Sequence, residues 1–133
     1  FGHQLIVKTF GGLVEKNSKG WEIGSSKIHL TEKGRKSDLF RDIPEKFIVY
    51  ESHQDTATFI PANMSVLAEN FFGNQAVVCN NTTYGIQFHP EFSRDISQAY
   101  LNGRMTLDPK IAYKNVKSSL YGHEVLKNYI KLL

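Results

Sequence analysis

Six short runs of β-branched and aromatic residues follow one another in the middle of the chain, and they constrain its fold more than any other feature. The runs are residues 13–15, 21–31, 46–52, 65–70, 75–81 and 83–89. Gly-Asn and Asn-Asn-Thr separate the later runs, as tight turns separate strands. The sequence therefore predicts a sheet of short strands.

Helical patterns stand on both sides of these runs. Residues 2–10 are apolar at helical spacing and stop at Gly11-Gly12, and residues 37–44 read as one short helix opened by Ser37. After an N-capping Ser93 the pattern becomes helical again, first with Ile96, Ala99 and Tyr100 at helical spacing. A second helical segment then places five apolar residues along one stripe: Val125, Leu126, Tyr129, Ile130 and Leu133. The order of helix, strands and helices predicts one α/β domain over residues 1–133, with helices flanking a sheet.

Composition narrows the classes of function. The chain is 41% hydrophobic and 12% aromatic, enough for an ordinary core, and its net charge of +3 is too small to indicate a nucleic-acid partner. A single cysteine excludes an internal disulfide and favours a reducing, cytoplasmic location. No apolar run approaches the roughly 18–20 residues of a membrane helix. His29 and His123 lack partners at metal-ligand spacing, so neither a metal site nor a cofactor is predicted.

The segment YGIQFHPEF, residues 84–92, carries the strongest chemical signal. In an extended strand Gly85, Gln87 and His89 face one side, and Pro90 ends the pairing. Glu91 would return to the side of His89 two residues later. A histidine at a strand end beside a carboxylate is the base-and-orienter half of a nucleophilic triad, although such neighbours also occur as plain surface pairs.

The single thiol is a poor candidate for the missing nucleophile. Cys79 lies in the short apolar run AVVCNN, without a Gly-x-Cys-x-Gly turn and without a following helix N-terminus to lower its pKa. We therefore predict that Cys79 is a buried structural residue.

Five segments, in order, resemble the class I glutamine amidotransferases, which use a cysteine triad. Phe1-Gly2-His3-Gln4 is similar to the end of the family's Gly-x-Cys-x-Gly-His-Gln turn. The other four are Gly11-Gly12, Glu22-Ile23-Gly24, Ser52-His53-Gln54-Asp55 and the unchanged Gln-Phe-His-Pro-Glu of residues 87–91. The resemblance runs from Phe1 to about Phe92. It implies a flavodoxin-like layered sheet flanked by helices, of which this chain is the C-terminal two-thirds, with N-terminal βα units and the nucleophilic cysteine expected upstream of Phe1.

The resemblance also implies roles for the triad region. His89 would be the general base that activates the cysteine, and Glu91 would orient its imidazole. Phe1 would hold the position after the nucleophile, whose backbone N–H belongs to the oxyanion hole.

The resemblance also assigns four residues to the wall of the pocket that binds the substrate glutamine, which we call the substrate wall. Gln4, His53, Gln54 and Asp55 correspond to the family's glutamine-binding residues. A helix residue that caps nearby backbone is the alternative for Gln4, and a structural loop is the alternative for His53 and Asp55.

The implied function is hydrolysis of the glutamine side-chain amide to glutamate and ammonia through a cysteine thioester. The alternatives are a γ-glutamyl peptidase on the same scaffold and a non-catalytic binding relative that lacks the cysteine. The residues after Phe92 do not match the Thr-Gly segment of many guanylate-synthesis members and look more like the stand-alone, GMP synthase-like type. Without a nucleotide-binding motif, a synthetase or acceptor subunit is the expected partner, and glutamine or a γ-glutamyl compound is the expected substrate.

Overall fold

The computed structural model describes residues 2–107 and 116–133, and the side chains within them except those of 105–107. In chain order the elements are α1 (Gly2–Thr9), β1 (Leu13–Lys16), β2 (Glu22–Leu30), α2 (Glu32–Arg35), a 3-10 helix (Asp38–Phe40), β3 (Lys46–His53), β4 (Asp55–Phe59), β5 (Met64–Asn70), β6 (Gly73–Cys79), β7 (Thr83–Ile86), α3 (Arg94–Leu107) and α4 (Gly122–Leu132).

Five strands form the main sheet in the order β3-β2-β5-β6-β7, and all neighbouring pairs are antiparallel. β1 and β4 form a separate two-stranded ribbon. Each of the six predicted runs contains a strand. β4 was not predicted; it begins directly after the Ser-His-Gln segment, so that segment lies where one strand gives way to the next.

Three apolar clusters hold the helices to the sheet. One joins α4 and the 3-10 helix to the main sheet and includes Leu39, Phe47 and Val125. A second joins α1 to the sheet and the ribbon, with Val7 and Val77 fully buried. The third lies under α3, whose Leu101 packs with Ile23, Tyr50 and Val116. Neighbouring residues of β6 alternate between the first two clusters, as expected for a strand that is buried on both faces.

The predicted first helix is confirmed, but the single helix over 37–44 is wrong in extent. The Ser37 hydroxyl accepts a hydrogen bond from Leu39 N at 3.4 Å, and the turn that follows is only a three-residue 3-10 helix. The chain already makes one α-helical turn at α2, capped by Thr31, before Ser37 is reached. Two short capped turns therefore replace the predicted helix.

The start of α3 is confirmed, since the Ser93 hydroxyl accepts a hydrogen bond from Ile96 N at 3.2 Å. The residues whose helical spacing indicated this helix, Ile96, Ala99 and Tyr100, are exposed, and α3 buries Leu101 beneath it.

The stripe predicted for α4 is only partly right. Val125 is buried, whereas Tyr129, Ile130 and Leu133 are exposed. The helix is docked instead by a polar contact, because the buried Asn128 amide donates to the carbonyls of Leu39 at 3.2 Å and Arg41 at 2.9 Å. Hydropathy alone does not reveal a contact of this kind.

The helices within the described ranges are all too short or too polar to cross a membrane.

Candidate active site

His89 lies just beyond the last strand of the sheet. We expected residues 83–89 to form one strand, but β7 ends at Ile86. Gln87 and His89 therefore lie beyond the strand, and the side-to-side alternation of a strand does not determine where their side chains point. The position of His89 is nevertheless fixed, because its backbone N–H donates to the Tyr50 carbonyl of β3 at 2.8 Å. The histidine is thereby tied to β3, an edge strand of the main sheet.

Glu91 reaches His89 through a turn and not through the extended segment that we expected. Phe92 N donates to the His89 carbonyl at 3.2 Å and closes this turn. His89 Nδ1 lies 2.9 Å from Glu91 Oε1. A carboxylate can only accept, so Nδ1 carries the proton and Nε2 is left with a lone pair, as a general base requires.

An aromatic stack holds the imidazole plane. The His89 and Phe92 rings are nearly parallel, with centroids 4.2 Å apart and an interplanar angle of 12°. Phe92 in turn contacts the ring of Tyr100 on α3 at 5.1 Å. The His89 imidazole is therefore oriented by a carboxylate at its edge and by a ring on its face.

The first turn of α1 sits against β7, the strand that leads to His89. A Cβ at Gly85 would lie 3.3 Å from His3 Cα, a tighter contact than most side chains make, so glycine favours this close approach of the helix. His3 is buried there, and burial lowers its pKa to about 4, so its ring is neutral at physiological pH. Phe1, the predicted oxyanion-hole residue, lies outside the described residues.

The Asp55 carbonyl is the point at which three side chains meet. It accepts hydrogen bonds from His53 Nδ1 at 3.0 Å, from Gln87 Nε2 at 3.2 Å and from Gln4 Nε2 at 3.4 Å. These donors come from β3, from the segment between β7 and His89, and from α1. One backbone oxygen thus links three of the five family-like segments.

A cavity of about 290 Å³ opens beside this carbonyl. It is lined by Gln4, Trp21, Ser52, His53, Gln54, Asp55 and Arg104. All four residues predicted for the substrate wall therefore line one cavity. His89 is not among the lining residues; Gln87, two positions before it in the chain, donates to the carbonyl of Asp55 in the cavity wall.

The sequence analysis missed Trp21 and Arg104. The Arg104 guanidinium carbon lies 4.3 Å from the centroid of the Trp21 ring, within cation–π distance. The two residues are 83 positions apart in the sequence, so no local pattern could pair them.

The His53 side chain turns inward, away from the open part of the cavity. Its Nε2 lies 3.0 Å from Glu22 Oε2 and 3.2 Å from Glu51 Oε2, and all three residues are buried. Because Nδ1 already donates to the Asp55 carbonyl, both ring nitrogens are occupied by protein groups. His53 therefore supports the cavity wall from behind.

The buried carboxylate of Glu22 gathers further donors. Asn70 Nδ2 donates to Oε1 at 2.6 Å, and Gln75 Nε2 donates to Oε2 at 2.9 Å. We call Glu22, Glu51, His53, Asn70 and Gln75 the buried network. The sequence analysis did not predict this network, because the predicted strand of residues 46–52 contains Glu51 but stops before His53. In the structure β3 extends to His53, so the two residues lie two positions apart on one strand and share a face.

Protonation of the buried network follows from its contacts. Burial alone would lower the pKa of His53, but its hydrogen bonds to Glu22 and Glu51 outweigh that effect and raise the pKa to about 9. Burial raises the pKa of Glu51 to about 8, against the opposing effect of His53. At neutral pH His53 is therefore an imidazolium and the carboxyl group of Glu51 is protonated.

Glu22, Glu51 and His53 also offer ligand atoms within 4.8 Å of one another, a spacing suited to a divalent cation. The Nε2 proton of His53 occupies the centre of the group, and Glu22 Oε2 accepts from both His53 and Gln75. Hydrogen bonding thus accounts for the arrangement of this cluster, and we assign no metal to it.

Cys79 is the last residue of β6 and is fully buried in the cluster beneath α1. The prediction of a buried thiol is confirmed.

A protein-family comparison matches residues 1–105 to "Glutamine amidotransferase class-I". The chain belongs to the class I glutamine amidotransferase family. The match begins at residue 1, includes both the His89–Glu91 pair and the cavity wall, and ends within α3.

Relatives of this amidotransferase chain include two kinds of GMP synthase. The chain is 38% identical over 133 residues to the glutamine-hydrolysing GMP synthase of Borreliella burgdorferi strain N40, covering 98% of this chain and 20% of the relative. It is 38% identical over 99 residues to one subunit of the glutamine-hydrolysing GMP synthase of Methanococcus vannielii, covering 69% of this chain and 48% of that relative. The amidotransferase chain thus spans about a fifth of the one and half of the other.

Solved structures share the fold. A glutamine amidotransferase from Thermotoga maritima superposes with a TM-score of 0.69 at 21% identity, covering 98% of this chain and 56% of the other. The predicted fold class, that of the flavodoxin-like class I amidotransferases, is confirmed.

Proposed function

We propose that the chain is the C-terminal two-thirds of a single amidotransferase domain that hydrolyses glutamine to glutamate and ammonia. In this proposal it supplies the base, the orienting carboxylate and the glutamine-binding wall, and a cysteine directly before Phe1 supplies the nucleophile. The observation that carries the proposal is the 2.9 Å contact between His89 Nδ1 and Glu91 Oε1, next to a strand on which the first turn of α1 packs.

The chemistry would follow from that arrangement. His89 Nε2 takes the thiol proton, and the sulfur attacks the carbon of the glutamine side-chain amide. A C–S bond forms and the C–N bond breaks, and the nitrogen leaves as ammonia with the proton that His89 returns to it. Water, deprotonated by the same imidazole, then cleaves the γ-glutamyl thioester, which releases glutamate and restores the thiol.

The proposed roles of the remaining residues use the same geometry. The backbone N–H of Phe1 would stabilise the oxyanion, as the residue after the nucleophile does in a turn of this kind. Gln4, Gln54 and Asp55 would contact glutamine in the cavity, and His53 would hold the Asp55 carbonyl in place.

The acceptor of the ammonia is proposed from the relatives. A GMP synthase of Borreliella burgdorferi aligns through α3 and α4, although we expected the residues after Phe92 to argue against guanylate synthesis. We therefore favour a cytoplasmic glutaminase unit that delivers ammonia for GMP synthesis to a synthetase partner or to further residues of a longer chain.

Intact-mass spectrometry of the full-length protein tests the nucleophile. The protein is treated with a diazo-ketone analogue of glutamine, which alkylates a cysteine activated to attack the amide carbon. We expect one adduct, located by peptide mapping on the residue before Phe1, and its loss in His89→Asn. An adduct on Cys79, or none at all, would contradict the proposal.

A further inference from the structure

One face of α3 meets both the base and the cavity. Tyr100 and Arg104 are four residues apart and therefore lie on the same side of the helix. Tyr100 contacts Phe92, the ring stacked on His89, and Arg104 lines the cavity over Trp21. The buried Leu101 anchors this part of α3 against Ile23 and Val116. The helix thereby carries Arg104 to a fixed place beside the cavity.

The charges around the cavity suit a zwitterion. His53 lines it but turns both ring nitrogens to other protein groups. Among the described lining residues, Arg104 therefore supplies the positive charge that can face a ligand, and the exposed Asp55 supplies the negative one. A free amino acid brings the complementary α-carboxylate and α-ammonium groups.

The stack on Trp21 prepares Arg104 for such a ligand. An aromatic ring covers the face of a guanidinium and leaves the N–H groups at its edge to hydrogen-bond. Holding the guanidinium before a ligand arrives also lowers the entropy lost on binding. A planar donor edge fits a carboxylate in a bidentate manner.

We propose that Arg104, held on Trp21, is the residue that recognises the α-carboxylate of the substrate and so selects free glutamine over derivatives whose α-carboxylate is blocked, such as glutamine α-amide. This inference rests on the proposed glutaminase function and identifies the specificity-determining residue of the same site.

Two substrates that differ only at the α-carboxylate test whether Arg104 recognises that group. L-glutamine carries the α-carboxylate, and L-glutamine α-amide carries a neutral amide in its place. In the full-length protein we expect Arg104→Gln to raise KM for L-glutamine about 10- to 100-fold, the usual effect of losing a charged hydrogen bond, with kcat within about threefold. KM for the α-amide should stay within about twofold. Arg104→Lys should fall between, because a lysine keeps the charge and loses the planar edge.

A matched control and a binding measurement complete the design. Arg35→Gln makes the same chemical change on the surface, beside Glu45, and should leave both KM values unchanged. Calorimetric binding of the two ligands to His89→Asn, with and without Arg104→Gln, measures the preference in the absence of turnover.

The outcomes distinguish this inference from the proposed function. If Arg104→Gln raises KM for both substrates equally, or leaves KM for glutamine unchanged, Arg104 does not recognise the α-carboxylate. The inference then fails, while the glutaminase proposal stands. If the protein binds glutamine with an Arg104-dependent preference over the α-amide but does not hydrolyse it, the proposed function fails and the assignment of Arg104 stands. If His89→Asn binds neither ligand, both fail.

Discussion

At the scale of single residues, the proposed chemistry depends on the tautomer of His89. Glu91 sets that tautomer, although its side chain is half exposed. In Glu91→Gln the amide no longer stabilises the imidazolium that forms during the reaction. We expect kcat for glutamine hydrolysis to fall about 10- to 100-fold in the full-length protein, with KM nearly unchanged. Steady-state kinetics measure this.

The chain offers a matched control for that substitution. His29 Nε2 and Glu69 Oε1 form a second histidine–glutamate pair at 3.2 Å on the surface, outside the cavity. Glu69→Gln should leave kcat within about twofold. Equal losses in both variants would show that Glu91 contributes only to general stability.

The buried network makes stability depend on pH. The pKa values of Glu51 and His53 are raised in the folded protein, to about 8 and about 9, so the folded state holds protons that the unfolded chain releases earlier. Their contribution is fully present below their unfolded pKa values, about 4.5 for Glu51 and 6.5 for His53, and is lost as pH rises through about 8 and about 9. The free energy of unfolding should therefore decrease between about pH 6 and about pH 9.

Glu51→Gln tests which group carries that decrease. A glutamine resembles the protonated carboxyl group and cannot ionise, so the variant should lose less stability than the wild type between about pH 6 and about pH 9, by on the order of a few kcal/mol. Urea denaturation at the two pH values measures this, with Glu45→Gln on the surface as the control. An unchanged pH dependence would mean that Glu51 does not hold its proton near neutral pH.

At the scale of elements, the approach of α1 to β7 depends on the absence of a side chain. In Gly85→Ala the new methyl group would lie 3.1 Å from Val77 Cγ2 and 3.3 Å from His3 Cα, so α1 or the strand must shift. We expect overpacking to cost about 1–3 kcal/mol and kcat to fall, because a nucleophile at the start of α1 would move relative to His89.

Gly103→Ala provides the comparison for Gly85→Ala. Among the described residues, a methyl group at Gly103 would meet nothing within 4 Å, and alanine is the better helix former, so this variant should be neutral or slightly more stable. Thermal denaturation and kcat are measured for both. If Gly85→Ala behaves like Gly103→Ala, the contact between α1 and β7 is not tight.

Most elements were predictable because their patterns are local. Alternation predicted strands at all six runs, and Ser93 marked the start of α3. The polar docking of α4 by Asn128 was not predictable, since its partners Leu39 and Arg41 are nearly 90 residues away. The end of β7 was also missed, because His89 is held by a bond to Tyr50 of β3 and not by pairing along its own strand.

At the scale of the whole molecule, the buried network joins four neighbouring strands through side chains. Glu22 lies on β2, Glu51 and His53 on β3, Asn70 on β5 and Gln75 on β6. The motif analysis found Glu22 and His53 as separate family-like segments. Only the antiparallel register, which sets Glu22 opposite His53, joins them into one unit.

Removing the Glu22 charge should affect the entire sheet. Glu22→Gln leaves a buried imidazolium without its carboxylate, and breaking a buried ion pair on one side costs about 3–5 kcal/mol. We expect a single cooperative unfolding transition at lower temperature, and faster hydrogen exchange in β2, β3, β5 and β6 together. Glu45→Gln, which removes half of a surface pair with Arg35, should change stability by about 0.5 kcal/mol or less. A loss confined to β2 would contradict the coupling.

The full burial of Cys79 has a practical use for chemists who work with this protein. A maleimide dye or a cysteine-directed crosslinker added under native conditions would not react with these 133 residues. Any label that the folded full-length protein takes up must then be attached outside these residues. A fluorophore could be attached at an introduced surface cysteine, for example on α3, without first mutating Cys79.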